Sequence, residues 1–210
     1  MGIQEKLKEA KEKSKPRKFA QTWDLIFTLK NVDLKKPENR FNLDFSLPEG
    51  LGKPLKTAFI VDSLAPEAKK GADLVIIKAE IPELGRDKKK LKKLAKEYDW
   101  WYGEATIMPL IGKELGVVLG SRGKMPKPVP PKMSLQGLIE KSKSSVRIRV
   151  TNTPVIQVKV GTETMPDEKV VKNIESVYDF IKERLPKGKS SIRAVTVKLT
   201  MGKPVRLEFK

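Results

Sequence analysis

The 210-residue sequence has no cysteine and no histidine. Without cysteine there is no disulfide framework, no thiolate zinc site and no thiol nucleophile. Without histidine the Ser-His-Asp triad, imidazole metal sites and the commonest general base are excluded. No apolar run approaches the ~18 residues that a membrane span requires. The opening stretch MGIQEKLKEAKEKSKPRK is a charged helical pattern with no apolar signal core. Acids are in deficit: 44 Lys and Arg stand against 26 Asp and Glu, a formal net charge of +18. A charge of this size speaks to polyanionic partners, either nucleic acid or an anionic membrane surface, and not to the fold. Hydrophobic residues make up 39% and are spread throughout, enough for a packed core. The expectation is a soluble, intracellular, strongly basic chain of one large domain or two small ones, at ~150 residues per domain.

Periodicity divides the chain into three stretches. Residues 3–13 read as a Lys/Glu-rich helix with Ile3 and Leu7 as its sizeable apolar residues, broken at Ser14-Lys15-Pro16. Trp23, Leu25, Phe27 and Leu29 alternate with Thr22, Asp24, Ile26 and Thr28, a strand with one apolar face. Phe41, Leu43, Phe45 and Leu47 repeat the pattern and end at Pro48-Glu49-Gly50. From Thr57 the pattern changes to short continuous apolar runs, AFIV and LVII, as expected of parallel strands buried on both faces. Helical PEAKKG, a basic KKKLKKLAKEY helix, the strand-like WWYGEA and a helix around PLIGKELG alternate with them, which indicates a small α/β unit. GSRGKMPKPVPP reads as an irregular loop. After a short SLQGLIEKSK helix, period 2 returns in Val146, Ile148 and Val150 and in Ile156, Val158 and Val160. Thr164 and Asp167 have capping-box spacing before a helix carrying Val170, Ile174, Val177, Tyr178, Ile181 and Leu185. RAVTVKLT, MGKP and VRLEFK close the chain as strand, turn and strand. Antiparallel α+β patterning thus brackets an α/β middle.

Each candidate for chemistry has a plainer competitor. A phosphate-binding P-loop needs Gly five residues before Gly-Lys-Ser/Thr. Here Met125 follows Gly123-Lys124 and Val118 stands where the first Gly belongs, so the segment is expected to turn the chain. Residues 86–96 hold seven bases and one acid, which read as a solvated helix face held down by Leu91 and Leu94. Trp100, Trp101 and Tyr102 have the chemistry to stack on bases, but adjacent residues of a strand face opposite ways, which favours core packing. Met201-Gly202 places an apolar residue at an exposed turn, and Gly permits close backbone approach. No carboxylate pair is placed for acid-base work, and no catalytic residue, metal site or cofactor is expected.

Three separated motifs carry a resemblance. RKFAQTWDLIFTLKNVDLKKPENR with SLPEGLGK, then GKELGVVLGSRGKMPKPVP, then AVTVKLTMGKPVRLEF resemble the ribosomal protein L-one family of the large subunit in its archaeal form, over essentially the whole chain. The resemblance implies two domains. Domain I, residues 1–56 plus 147–210, is an α+β rRNA- and mRNA-binding unit with an antiparallel sheet built from both chain ends. Domain II, residues 57–146, is an inserted three-layer, Rossmann-like α/β unit. It further implies binding to the mobile rRNA stalk near the tRNA exit site, deacylated tRNA there as a further partner, and repression of translation through the protein's own mRNA leader or coding region. The implied chain is cytoplasmic, on the large subunit, monomeric when free, not membrane-bound and not an enzyme. By motif position, RNA contacts fall on Lys18, Phe19, Thr22 and Asp24 and on Thr200, Met201 and Gly202, with Lys30, Lys36, Gln157 and Lys203 counted among them. The chain departs from the family where Gln157 and Glu49 replace a frequent His, and where Lys203 replaces the Pro of bacterial members.

The physical chemistry agrees with that site. A-form RNA exposes 2′-hydroxyls and phosphates in a shallow groove suited to small polar groups and backbone amides. Asp24, an acid in a basic protein, can accept from a 2′-hydroxyl or a guanine edge while disfavouring generic polyanions. The alternatives are an RNA-modifying enzyme using the α/β unit and a lysine, and an electrostatic membrane-surface module. The first lacks a glycine cradle, and the second lacks a basic amphipathic helix with bulky aromatic anchors, the N-terminal helix being mixed Lys/Glu and poorly apolar.

Overall fold

The structure, a computed structural model, describes residues 2–131 and 133–209. In chain order its elements are α1 (Ile3–Glu12), β1 (Thr22–Leu29), β2 (Phe41–Ser46), β3 (Thr57–Val61), α2 (Ala65–Ala68), β4 (Leu74–Ile77), α3 (Ile81–Arg86), α4 (Lys88–Glu97), β5 (Trp100–Glu104), α5 (Met108–Ser121), β6 (Lys127–Val129), α6 (Leu135–Ser144), β7 (Ser145–Val150), β8 (Val155–Thr162), α7 (Asp167–Arg184), β9 (Ile192–Leu199) and β10 (Val205–Leu207). They divide into two units, Met1–Lys53 with Ser144–Lys210, and Pro54–Lys143.

The first unit is built on an antiparallel sheet in the order β10-β9-β1-β8, so one N-terminal strand lies among three from the C-terminal part. Its buried face follows the alternation in the sequence. Trp23, Leu25, Phe27 and Leu29 of β1, Ile156, Val158 and Val160 of β8, and Val195, Val197 and Leu199 of β9 are all buried. Each such side chain contributes roughly 1.5–3 kcal/mol relative to exposure. A one-residue slip of β1 would expose its whole apolar set, and this fixes the register. Helix α7 supplies Val170, Ile174, Val177 and Ile181, all fully buried, and Tyr178 stacks on Phe27. Helix α1 buries Leu7 and Ala10 and is tied to α7 by Lys11 Nζ donating to Asp167 Oδ1 at 2.5 Å. Strands β2 and β7 form a separate antiparallel ribbon, with Phe45 against Phe180 of α7.

The expected capping box does not form. Met165 N donates to Thr162 O at 3.1 Å, a turn that buries Met165 over Gly52 and removes residues 164 and 165 from the helix. Helix α7 therefore starts after Pro166 with no side-chain cap, and Thr164 Oγ1 bonds Thr162 Oγ1 instead.

The second unit is a parallel sheet in the order β4-β3-β5-β6, covered on both faces, in three layers. Ala58, Ile60 and Trp101 pack with α3, α4 and α5 on one side, while Phe59, Val61, Trp100 and Tyr102 pack with α2 and α6 on the other. Two expectations are corrected here. LVII is not buried on both faces: only Ile76 is buried, because β4 is an edge strand. Nor is GSRGKMPKPVPP all loop, since Lys127–Val129 pairs with β5 as the opposite edge. Pro128 has no N–H to give a ladder, and only an edge tolerates that loss.

Candidate nucleic-acid interface

At the end of the first unit's sheet, β1 begins and β9 stops. Thr200 N donates to Thr22 O at 3.0 Å, and Thr22 N donates to Thr200 Oγ1 at 3.1 Å, so the hydroxyl extends the ladder by one rung. The turn beyond is closed by Gly202 N donating to Leu199 O at 2.8 Å. Met201 N donates to the side-chain carbonyl of Gln21 at 3.1 Å, while Gln21 Nε2 donates to Ser14 Oγ at 3.3 Å. The main chain of Gln21 is held as well, donating to Glu163 Oε2 and accepting from Glu163 N. Gln21 is only 1% exposed, and its partners join the end of α1, the start of β1 and the 200–203 turn. Phe19 and Met201, at 53% and 58% exposure, are the exposed large apolar side chains among the described residues of this unit. They flank the Thr22–Thr200 pair in sequence.

Gly202 permits this turn by close approach. A Cβ there would lie 3.2 Å from Ser14 Oγ, 3.3 Å from Ser14 Cβ and 3.3 Å from Leu199 Cβ. Its φ is not positive, so space and not backbone handedness restricts the position.

The sheet face opposite the core runs back from this end. Asp24 of β1 lies opposite Lys198 of β9 on one side and Lys159 of β8 on the other, and Ile26 lies between Thr196 and Gln157. Asp24, Ile26, Gln157, Val158, Lys159 and Lys198 line a cleft of about 320 Å³. Burial pushes the Asp24 acid above its ordinary value, against the opposing pull of Lys198 and Lys159. Lys198 Nζ also donates to Thr200 O at 3.1 Å, linking the cleft to the turn. The surface is thus a mixed hydrogen-bonding plane of small hydroxyls, an amide, an acid and lysines, with two apolar residues at its rim.

Such a surface suits a polar, close-fitting ligand, and comparison with known proteins says which kind of protein carries it. The model of the ribosomal protein L1p/L10e family matches residues 7–203. The chain belongs to that family. The large ribosomal subunit protein uL1 of Methanothermobacter thermautotrophicus is 47% identical over 98% of this chain and 98% of its own length. That of Pyrococcus abyssi is 47% identical over 98% and 95%, and that of Methanocaldococcus jannaschii 46% over 96% and 93%. As a member of the L1p/L10e family the chain is a structural ribosomal protein and not an enzyme.

Of the residues that the L1p/L10e resemblance nominates, Lys18, Phe19, Thr22, Thr200, Met201, Gly202 and Lys203 gather at one end of the sheet, and Asp24 and Gln157 lie on its open face. Lys30 and Lys36 do not join them. Lys30 follows the far end of β1, where its N–H donates to Ser191 O, and Lys36 lies in the turn before β2. Lys30 lies eight residue steps along the strand from Thr22, about 26 Å. Glu49 is engaged within the fold: its carboxylate stands 3.3 Å from Lys172 Nζ and 3.7 Å from Lys169 Nζ, and its N–H donates to Asn173 Oδ1. Sequence reasoning missed Ser14, Gln21, Lys159 and Lys198. Gln21 left one trace: it shares the parity of Trp23 and Leu25, so it extends the buried face with an amide that needs partners.

The α/β unit holds the other sequence candidates. Trp100, Trp101 and Tyr102 are buried on alternate faces and do not present rings to a ligand. An open α/β sheet takes ligands at its topological switch point, here between the C-terminal ends of β3 and β5. That place is filled by the carboxylate of Glu104, 3% exposed. Its oxygens accept from Asp62 N at 2.9 Å, Ser63 N at 3.1 Å, Ser63 Oγ at 2.7 Å and Thr106 Oγ1 at 2.9 Å. Burial raises its acid, but these donors outweigh burial and hold it below the usual carboxylate range. Gly123, far from opening a phosphate loop, ends α5: at φ 64° its N–H donates to Gly120 O, and Lys124 N donates to Leu119 O. Among the described residues no group of three or more acidic, His or Cys side chains is placed to hold a metal, and no helix is long and apolar enough to cross a membrane.

Proposed function

We propose that the chain binds the mobile rRNA stalk of the large ribosomal subunit in the cytoplasm, through the sheet end and open sheet face of a domain comprising residues 1–56 and 147–210. The observation that carries this reading is the Thr22–Thr200 pair, held by buried Gln21 and flanked by exposed Phe19 and Met201. In the bound state Thr200 and the Gly202 backbone meet 2′-hydroxyls and phosphates of a shallow A-form groove. Met201 and Phe19 pack on sugar or base surfaces, and Asp24 accepts from a hydroxyl or guanine edge. Lys18, Gln157 and Lys203 border the same surface. Family membership and near-full-length likeness to uL1 proteins support the assignment to the large subunit. In this position the protein acts with deacylated tRNA at the exit site. The same surface also binds a stalk-like structure in the protein's own mRNA, leader or coding region, and represses its translation.

The test is a footprint of the purified full-length protein on total rRNA, with Thr200→Ala and Met201→Ala alongside. A protected stalk element, and losses of about 1–3 kcal/mol per contact in the variants, are expected. Wild-type affinity in both variants would place the site elsewhere. Repression is read separately, as inhibition of in vitro translation of the protein's own message, lost in parallel with stalk binding.

A further inference from the structure

Helix α4 carries Lys88, Lys89, Lys90, Lys92, Lys93 and Lys96, all exposed, and buries Leu91 and Ala95 in the core of its unit. At 100° per residue, Lys88, Lys89, Lys92, Lys93 and Lys96 fall within an arc of about 140°, spread over about 12 Å of helix. The two acids near them are engaged elsewhere. Asp87 caps the helix, accepting from Lys89 N at 3.0 Å and Lys90 N at 2.9 Å. Glu97 pairs with Lys56 at 2.6 Å. Among the described residues none of the six lysines takes part in an ion pair.

This arrangement works against the fold. Lys88/Lys92, Lys89/Lys93 and Lys92/Lys96 are like-charge pairs at i,i+4, an arrangement that destabilises a helix. Lys88, Lys89 and Lys90 also occupy the first turn, where the helix dipole disfavours cations. Asp87 at the N-cap answers the helix dipole, but among the described residues no ion pair answers the lysine side chains themselves, so an external polyanion is the natural counterpart. A lipid surface fits poorly, because the apolar side of α4 is committed to the core and leaves nothing to insert between headgroups.

We propose that the lysine face of α4 is a second RNA-contact surface that takes phosphates without reading sequence. It adds affinity for any RNA presented to it, in a unit that lacks the stalk-reading turn. The proposal rests on the RNA-binding reading above only in its choice of RNA as the polyanion.

The test uses the full-length protein with Lys88, Lys89, Lys92, Lys93 and Lys96 changed to Gln, and a companion with the same five changed to Arg. Affinity is measured against a stalk rRNA fragment and a 20-base-pair RNA duplex of unrelated sequence, over 50–300 mM salt. Each phosphate contact contributes about 0.7–0.9 to the slope of log K against log salt. With all five lysines on phosphates, the Gln variant should therefore lose about 3.5–4.5 from the slope and at least about 100-fold in affinity at 0.1 M salt for both RNAs. The ratio between the two RNAs should be unchanged, and the Arg variant should keep the wild-type slope. Because like-charge repulsion is removed, the Gln variant should melt no lower than wild type, which separates lost contact from lost fold. An unchanged slope in the Gln variant overturns the proposal. So does loss of binding to phosphatidylserine vesicles with RNA binding intact. If wild type holds the stalk fragment no tighter than the duplex, the sheet-end reading fails, while the slope still decides the role of α4.

Discussion

Replacing Gly202 with alanine adds one methyl group 3.2 Å from Ser14 Oγ and 3.3 Å from both Ser14 Cβ and Leu199 Cβ. Ordinary carbon contacts sit near 3.5–4.0 Å, so all three are short by a few tenths of an ångström. Leu199 is fully buried in β9 and has nowhere to go. Relief must come through Ser14, the half-buried residue whose hydroxyl receives Gln21 Nε2. Displacing Ser14 draws on Gln21, and Gln21 holds Met201 N. Overpacking typically costs 1–3 kcal/mol, and a single methyl belongs at the low end, about 1 kcal/mol. Gly202→Val belongs toward the upper end. In affinity for the rRNA fragment, 1 kcal/mol is about 5-fold. A double-mutant cycle with Ser14→Gly isolates the contact. Ser14→Gly alone forfeits the bond from Gln21, about 0.5–1.5 kcal/mol, yet removes two of the three atoms that Gly202→Ala would meet. The paired variant should therefore be more stable than the sum of the single changes by about 0.5–1 kcal/mol. The assays are urea unfolding followed on the first unit and fluorescence anisotropy with the labelled rRNA fragment. Additivity within about 0.3 kcal/mol in both would refute the close-approach argument for this glycine.

Three further substitutions separate fold from function. Asn173, fully buried, accepts from Glu49 N and donates to Gly50 O and Val160 O, so Asn173→Leu should destabilise the first unit by about 2–4 kcal/mol in urea unfolding. Glu104→Gln leaves donors of the 62–63 turn facing an amide, at a cost of about 2–3 kcal/mol to the second unit. Because the folded Glu104 acid lies below its unfolded value, its stabilisation is complete above the unfolded pKa and is lost as pH falls through the lowered folded one. Acid titration of the variant should be flatter there by circular dichroism. Asp24 has the opposite sign: its folded acid is raised, so its charge destabilises at neutral pH and the penalty is relieved as pH falls through the raised value. Asp24→Asn should gain less than about 1 kcal/mol in stability at pH 7, as befits a partly exposed group, while losing discrimination between the stalk fragment and unrelated RNA.

The sequence exposes what is local. Trp23, Leu25, Phe27 and Leu29 declare a strand because period 2 and burial coincide, and Val170 to Ile181 declare a helix for the same reason at period 3.6. What escapes is whatever another segment decides. Pro128 argues against a strand until β5 supplies an edge on which a missing N–H does no harm. The Thr164 box fails because Met165 finds its burial over Gly52, more than a hundred residues earlier in the chain. Gln21 looks like a surface amide until Ser14, Glu163 and Met201 converge on it. Lys30 and Lys36 share a motif with Thr22, yet a strand's length of pleat carries them to the other end of the sheet. Contiguity in sequence is not contiguity in a site.

Charge teaches the same lesson at larger scale. Residues 1–56 and 147–210 hold 27 bases and 15 acids, a net +12, whereas residues 57–146 hold 17 and 11, a net +6. By net charge, polyanion binding belongs to the ends. At physiological salt, however, fields reach only about 8 Å, so a phosphate responds to the unpaired charges beside it and not to the total. In the first unit several lysines are already answered: Lys6 and Lys13 by Glu9, Lys11 by Asp167, and Lys169 and Lys172 by Glu49. Around Asp24, lysines and an acid alternate, a pattern that rewards a ligand with donors and acceptors in the right places and penalises one that is only negative. On α4, among the described residues, the lysines take part in no ion pair, which rewards any phosphate. Selectivity and salt dependence should then be removed by different substitutions, the first at the sheet end and the second on α4, although both draw on the same excess of lysine.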